Sequence, residues 1–128
     1  MKETALIFTG DIGFDKYMDK KWEDKELLSK EVRDFLGSGE HLIVNVEGPL
    51  SNMDKVNRAG GVSALLHSMD PEVAIFLNGL GADVWNICNN HIMDAGADDI
   101  IYTQIDCKYH HEVFYYLLSL CQIIFHDD

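Results

Sequence analysis

Three short apolar runs, separated by segments with helical spacing, constrain the fold of this chain most strongly. The runs are Ala5–Thr9, His41–Val46 and Asp83–Cys88, and polar residues follow each of them. A helical pattern over Asp19–Leu36 separates the first two runs, and another that begins at Asp70-Pro71 separates the last two. Strands that alternate with helices form parallel sheets, so the sequence predicts an α/β fold with a mostly parallel sheet and flanking helices.

Other parts of the chain give weaker signals. The stretch Ser51–Ser63 is polar and carries Gly60-Gly61, which predicts an extended loop. A further helix is expected from about Ala95 to Gln104. The length of 128 residues allows one domain at most.

Composition and charge exclude several classes of protein. Hydrophobic residues make up 47% of the chain, which is typical of a folded domain and not of a disordered one. The formal net charge of −12 argues against non-specific binding of nucleic acid, which requires clustered Lys and Arg. The same charge disfavours docking on an anionic membrane surface. We therefore expect no nucleic-acid partner.

Cysteine content and apolar segments give information on the cellular compartment of the protein. Cys88, Cys107 and Cys121 are odd in number and contain no C-x-x-C pair, so we expect free thiols and a reducing environment. The first ten residues do not resemble a signal peptide. The apolar run Val113–Phe125 is shorter than the ~20 residues needed to span a bilayer. These features predict a cytoplasmic protein without a transmembrane segment.

Side chains suited to metal binding or proton transfer follow all three predicted strands. They are Asp11 after the first strand, Asn45 and Glu47 at the end of the second, and Asn89, Asn90 and His91 after the third. Parallel strands bring such loops to one edge of a sheet, where ligands bind in open α/β folds. Carboxylate, amide and imidazole groups suit Mn, Fe or Zn, so the sequence predicts a divalent-metal site at this edge.

The residues around these positions resemble the conserved blocks of the CapA family, the capsule and poly-γ-glutamate synthesis proteins. The matching segments are Phe8-Thr9-Gly10-Asp11, Asn45-Val46-Glu47-Gly48-Pro49-Leu50, Asp70-Pro71-Glu72, Gly81-Ala82-Asp83-Val84, and Asn89-Asn90-His91 with Asp94 and Gly96. Thr103 also stands where the family's next helix carries a threonine. The resemblance covers about the first hundred residues, and it implies a partial calcineurin-like metallophosphoesterase architecture.

The resemblance also implies roles for individual residues. Asp11, Glu47 and Asn90 would bind one or two metal ions, and His91 would be the catalytic general acid. Asn45 and Asn89 would contact the substrate or support the ligands. The implied activity is a divalent-metal-dependent hydrolase or transferase of bacterial capsule or poly-γ-glutamate biosynthesis, acting on a small molecule or a polyanionic polymer.

The sequence departs from the family after Thr103. We therefore divide the chain into a CapA-like portion, residues 1–104, and a divergent segment, residues 105–128, which a truncated end would explain. His110, His111 and His126 in that segment do not match the family's late histidine motifs. The alternative to an enzyme is thus a non-catalytic remnant that self-associates through an exposed sheet edge or acts as an interaction module. A nucleotide-binding module is a more remote alternative, since the chain has no glycine-rich phosphate loop.

Overall fold

The computed structural model describes residues 4–51, 66–100 and 103. Three strands form a parallel sheet in the order β1, β2, β3, with β1 at Leu6–Ile12, β2 at His41–Val46 and β3 at Ala82–Asn86. Helix α1, Lys30–Leu36, lies between β1 and β2 in sequence, and helix α2, Val73–Gly79, lies between β2 and β3. The predicted α/β class, with a parallel sheet and flanking helices, is confirmed.

Strand β1 continues past Thr9, where the apolar run ends in the sequence, and includes Asp11. Phe8 pairs with Ile43, but Asp11 pairs with Asn45, so β1 uses three residue steps where β2 uses two. An extra residue of this kind is a β-bulge, which bends a strand without ending its pairing. Asp11 therefore belongs to the strand itself and faces Asn45 across the sheet.

The helix predicted over Asp19–Leu36 is wrong in its first half. A short 3₁₀ helix, Lys16–Met18, precedes that segment, and a second, Lys21–Glu23, lies within its first half. Lys20, which precedes the second, has a positive φ of 59°, a left-handed conformation that an α-helix cannot include. The α-helix begins only after Ser29, whose hydroxyl accepts a hydrogen bond from the backbone N–H of Val32.

Helix α2 begins close to the predicted start at Asp70-Pro71. The Asp70 carboxylate accepts a hydrogen bond from the N–H of Glu72 at 2.9 Å, which forms a turn ahead of the first helical residue. The helix ends at Gly79, and Gly81 adopts a φ of 82° that leads the chain into β3. The buried face of α2 consists of Val73, Ala74 and Leu77.

The hydrophobic core lies against one face of the sheet. Residues alternate along β2 between a buried and a more exposed face, and Leu42, Val44 and Val46 point into the core. Phe14 packs edge-to-face against Trp22 and Phe76, with ring centroids 5.8 and 5.2 Å apart. The full set of buried apolar residues is Ile7, Phe14, Trp22, Leu42, Val44, Val46, Leu50, Met69, Val73, Ala74, Leu77, Ala82, Trp85, Ile87 and Ile92.

Leu6 and Phe8 of β1 are exposed at the edge of the described sheet, with relative exposures of 51% and 69%. Exposed apolar side chains on an edge strand are a feature of surfaces that associate. Self-association through this edge stays a prediction.

Several sequence predictions fall on residues outside the described ranges. The loop predicted at Ser51–Ser63 lies almost wholly there, as does the divergent segment, so the domain division at residue 104 also stays a prediction. Residues 97–100 and 103 are helical, in agreement with the helix expected from about Ala95. Within the described ranges no helix is long and apolar enough to cross a membrane.

Cys88 is disulfide-bonded, so the expectation of a free thiol at this position is wrong. The expectation rested on the odd number of cysteines, but two of three cysteines can still form a disulfide. Cys107 and Cys121 lie outside the described residues.

Thr103 ties the last helical segment to the loop after β2. It is fully buried, and its hydroxyl accepts a hydrogen bond from the N–H of Leu50 at 2.9 Å and donates one to the carbonyl of Asp99 at 2.7 Å. Thr103→Val keeps the shape but leaves the buried N–H of Leu50 without its acceptor. We expect the free energy of unfolding to fall by about 1–3 kcal/mol.

Urea denaturation measures this loss, and Thr103→Ser is the matched control because it retains the hydroxyl. The valine variant should be the less stable of the two. A valine variant as stable as the wild type would show that the hydroxyl does not support the loop.

Candidate functional site

The carboxyl ends of all three strands meet at Asn45. This residue pairs in register with Asp11 of β1 on one side and with Asn86 of β3 on the other. Glu47 follows β2 directly, and its backbone N–H donates a hydrogen bond to the carbonyl of Ile12 at 2.9 Å. The predicted convergence of the strand ends at one edge of the sheet is therefore present.

The side-chain amide of Asn45 joins two of the predicted metal ligands. Its Nδ2 donates to Asp11 Oδ1 at 2.6 Å and to Glu47 Oε2 at 3.0 Å. The two carboxylates thus converge on a single donor atom. Asp11 is exposed, whereas the Glu47 side chain is only 15% exposed. The pair forms a negatively charged site with one member open to solvent.

Two further asparagines fix the orientation of that amide. Asn86 Nδ2 donates to Asn45 Oδ1 at 2.8 Å, and Asn89 Nδ2 approaches the same oxygen at 3.4 Å. Asn89 also donates to the carbonyl of Val46 at 2.7 Å, which links the loop after β3 to the end of β2. Because its oxygen accepts from these amides, Asn45 presents its nitrogen to the carboxylates.

His91 lies in the tight turn after β3 and contacts two carboxylates. Its Nδ1 is 2.7 Å from Asp94 Oδ2, and its Nε2 is 3.6 Å from Glu47 Oε1. The Asn89 side-chain oxygen accepts a hydrogen bond from the backbone N–H of His91 at 3.1 Å, which shapes the turn. A histidine held at one nitrogen by a carboxylate keeps the other nitrogen available for chemistry.

The structure brings five of the six predicted site residues together and leaves Asn90 apart from them. Asp11, Asn45, Glu47, Asn89 and His91 form one connected group. Asn90 is exposed, and in the part of the chain that the structure describes its side chain makes no hydrogen bond. The roles inferred from the resemblance, including metal binding by Asn90, stay predictions.

Sequence reasoning missed some members of this group. Asn86 is a polar residue inside an otherwise apolar strand, a signal that could have revealed it. Asp94 matched the resembling motif but received no role, although its spacing of three residues from His91 suits contact within a turn. No motif in the sequence includes His67, yet its ring lies 4.3 Å from that of His91, centroid to centroid.

The donor chemistry fits a divalent cation at the Asp11–Glu47 pair. Two carboxylates that share one hydrogen-bond donor would attract a cation to the same place, and oxygen ligands suit Mg²⁺ or Mn²⁺. Among residues 4–51, 66–100 and 103, no three His, Cys, Asp or Glu residues lie close enough to form a closed metal site. A cation bound here would therefore also need ligands such as amide oxygens or water.

Comparison with known proteins identifies one family. The model of the bacterial capsule synthesis protein family PGA_cap, which is metallophosphoesterase-like, matches residues 5–111. The match includes all three strands and every residue of the connected site. No curated protein matches the chain.

Proposed function

Because the chain belongs to the bacterial capsule synthesis protein family, we propose that it is a divalent-metal-dependent hydrolase or transferase of capsule or poly-γ-glutamate-type polymer synthesis. One observation carries this proposal. The carboxylates of Asp11 and Glu47 accept hydrogen bonds from the same amide nitrogen of Asn45. The imidazole of His91 lies beside Glu47, and its Nδ1 contacts Asp94. An acidic pair next to an oriented histidine suits metal-assisted displacement at a phosphoryl or carbonyl centre.

Asp11 and Glu47 would hold the cation, with Asn90 as the further ligand that the resemblance implies. A divalent cation bound there supplies charge that polarises the substrate and lowers the pKa of a bound water. It would also offset the negative charge of the two carboxylates and so allow an anionic substrate to approach. An acidic chain with a net charge of −12 needs such an offset to act on a phosphoester or a poly-γ-glutamate chain.

His91 would hold the proton that the leaving group requires. Asp94 accepts from Nδ1–H, which keeps the ring in one orientation and leaves Nε2 as the position for a transferable proton. Glu47, 3.6 Å from Nε2, keeps this nitrogen close to the acidic pair. Asn45 and Asn89 support this arrangement through the amide network that joins β2 to the loop after β3.

Metal binding tests the proposal, and isothermal titration with Mn²⁺ and Zn²⁺ measures it. We expect micromolar or tighter binding by the wild type and at least about tenfold weaker binding by Asp11→Asn and Glu47→Gln, since each replaces a charged ligand with a neutral one. Asn90→Ala tests the remaining predicted ligand. Asp83→Asn is the control, because Asp83 lies near the opposite end of β3 and contacts His41 there.

Unchanged binding in both carboxylate variants would place the metal elsewhere and refute the proposed site. No binding by the folded wild type would favour the alternative function, a non-catalytic interaction module. Assays with a chromogenic phosphodiester and a γ-glutamyl anilide then separate the two proposed substrate classes.

A further inference from the structure

His67 contacts the loops that follow all three strands. Its Nδ1 lies 3.0 Å from Oδ2 of Asp15, beyond the end of β1. Its backbone packs against Gly48, the residue after Glu47, and its ring meets His91 in the turn after β3. His67 lies outside the segments that resemble the CapA family, and nothing in the amino-acid pattern singles it out.

The contact between the two imidazoles is close and well defined. Their ring centroids are 4.3 Å apart, and the ring planes meet at 75°, an edge-to-face arrangement. One carboxylate oxygen, Asp94 Oδ2, accepts from the backbone N–H of His67 at 2.7 Å and also contacts His91 Nδ1 at 2.7 Å. His67 therefore borders both the ring of His91 and the carboxylate that holds it.

Contacts with the segment that follows β2 hold the backbone around His67 in place. Met69 forms a parallel bridge with Leu50, in which Met69 N–H donates to the carbonyl of Pro49 at 3.0 Å. Gly48 has a φ of +96°, and a Cβ there would lie 2.9 Å from His67 Cβ. Glycine at position 48 thus permits the approach that brings the His67 ring to His91.

We propose that His67 is a positioning residue for His91. Its ring contact keeps the His91 imidazole on Asp94 and so keeps Nε2 beside Glu47. The side chain of His91 is 19% exposed, and without a neighbouring ring its imidazole would gain rotational freedom. The inference deepens the proposed function, since it concerns the same histidine, but the contact itself can be tested without any enzymatic activity.

Nuclear magnetic resonance of the full chain, labelled with ¹⁵N in its histidines, reports the tautomer of His91 directly. At mildly alkaline pH we expect the wild type to show one tautomer, with the proton on Nδ1. His67→Ala should move the two ring ¹⁵N signals of His91 toward each other as the tautomers mix. His67→Phe should restore the separation because it keeps a ring, and His41→Ala is the histidine control that should change nothing at His91.

Unchanged His91 signals in His67→Ala would overturn the proposal, as would equal changes in the alanine and phenylalanine variants. If the alanine variant does not fold, His67→Leu provides bulk without an aromatic ring and is judged by the same signals. Where the wild type hydrolyses the chromogenic phosphodiester, we expect kcat to fall about 10- to 100-fold in His67→Ala, with recovery in His67→Phe. A wild type without activity would refute the proposed function and leave the spectroscopic test intact.

Discussion

Replacing His91 with glutamine is expected to lower kcat on the substrate class that the chain hydrolyses by about 10²- to 10⁴-fold, the range for loss of a general acid. The reason lies in the two contacts of its ring. Asp94 occupies Nδ1 at 2.7 Å, so Nε2 is the nitrogen available to carry a proton to the leaving group. Glutamine preserves polarity and approximate size but cannot donate a proton near neutral pH.

Asp94→Asn supplies a graded comparison for the same prediction. The asparagine oxygen can still accept from Nδ1–H, but it lacks the charge that stabilises a protonated ring. We expect a smaller loss of kcat, about 10- to 100-fold. His41→Gln is the control, since His41 pairs with Asp83 at the far end of the sheet.

Metal titration of the His91 variant separates two roles for this residue. A general acid can be removed without weakening the binding of Mn²⁺, whereas a metal ligand cannot. Full activity in the His91 variant would remove His91 from the mechanism. Lost activity together with lost metal binding would reassign it as a ligand.

The sequence predicted the parts of the fold and site that depend on local pattern and on the geometry of parallel sheets. The bounds of β2, His41–Val46, agree with the structure because its apolar run ends at a glutamate and a glycine. The convergence of Asp11 with Glu47 followed from one rule, that parallel strands end at the same edge. Neither prediction needed knowledge of distant contacts.

The errors arise where tertiary contacts or backbone details outweigh the pattern. Apolar spacing suggested one helix over Asp19–Leu36, but the left-handed conformation of Lys20 divides the segment. His67 was missed because its place depends on the bridge between Leu50 and Met69, which joins the segments on either side of residues 52–65. A contact of that kind has no periodicity that a single sequence could reveal.

Replacing Leu77 with alanine is expected to produce the largest loss of stability among the substitutions considered. Leu77 is fully buried on the inner face of α2, in the same cluster as Val44 and Trp85 of the sheet. Removing a buried leucine side chain and leaving a cavity costs about 2–5 kcal/mol of unfolding free energy. Urea denaturation should show a lower midpoint with an unchanged slope.

Ile75→Ala is the matched control, because Ile75 lies on the same helix but is 63% exposed. Its effect should stay within about 0.5 kcal/mol, the range for surface substitutions. Equal losses in the two variants would mean that α2 does not pack on the sheet through the face observed.

Helix α2 leads through Gly81 directly into β3, and β3 ends at Asn86, next to the loop that carries His91. Packing at Leu77 therefore supports the position of the candidate site as well as the core.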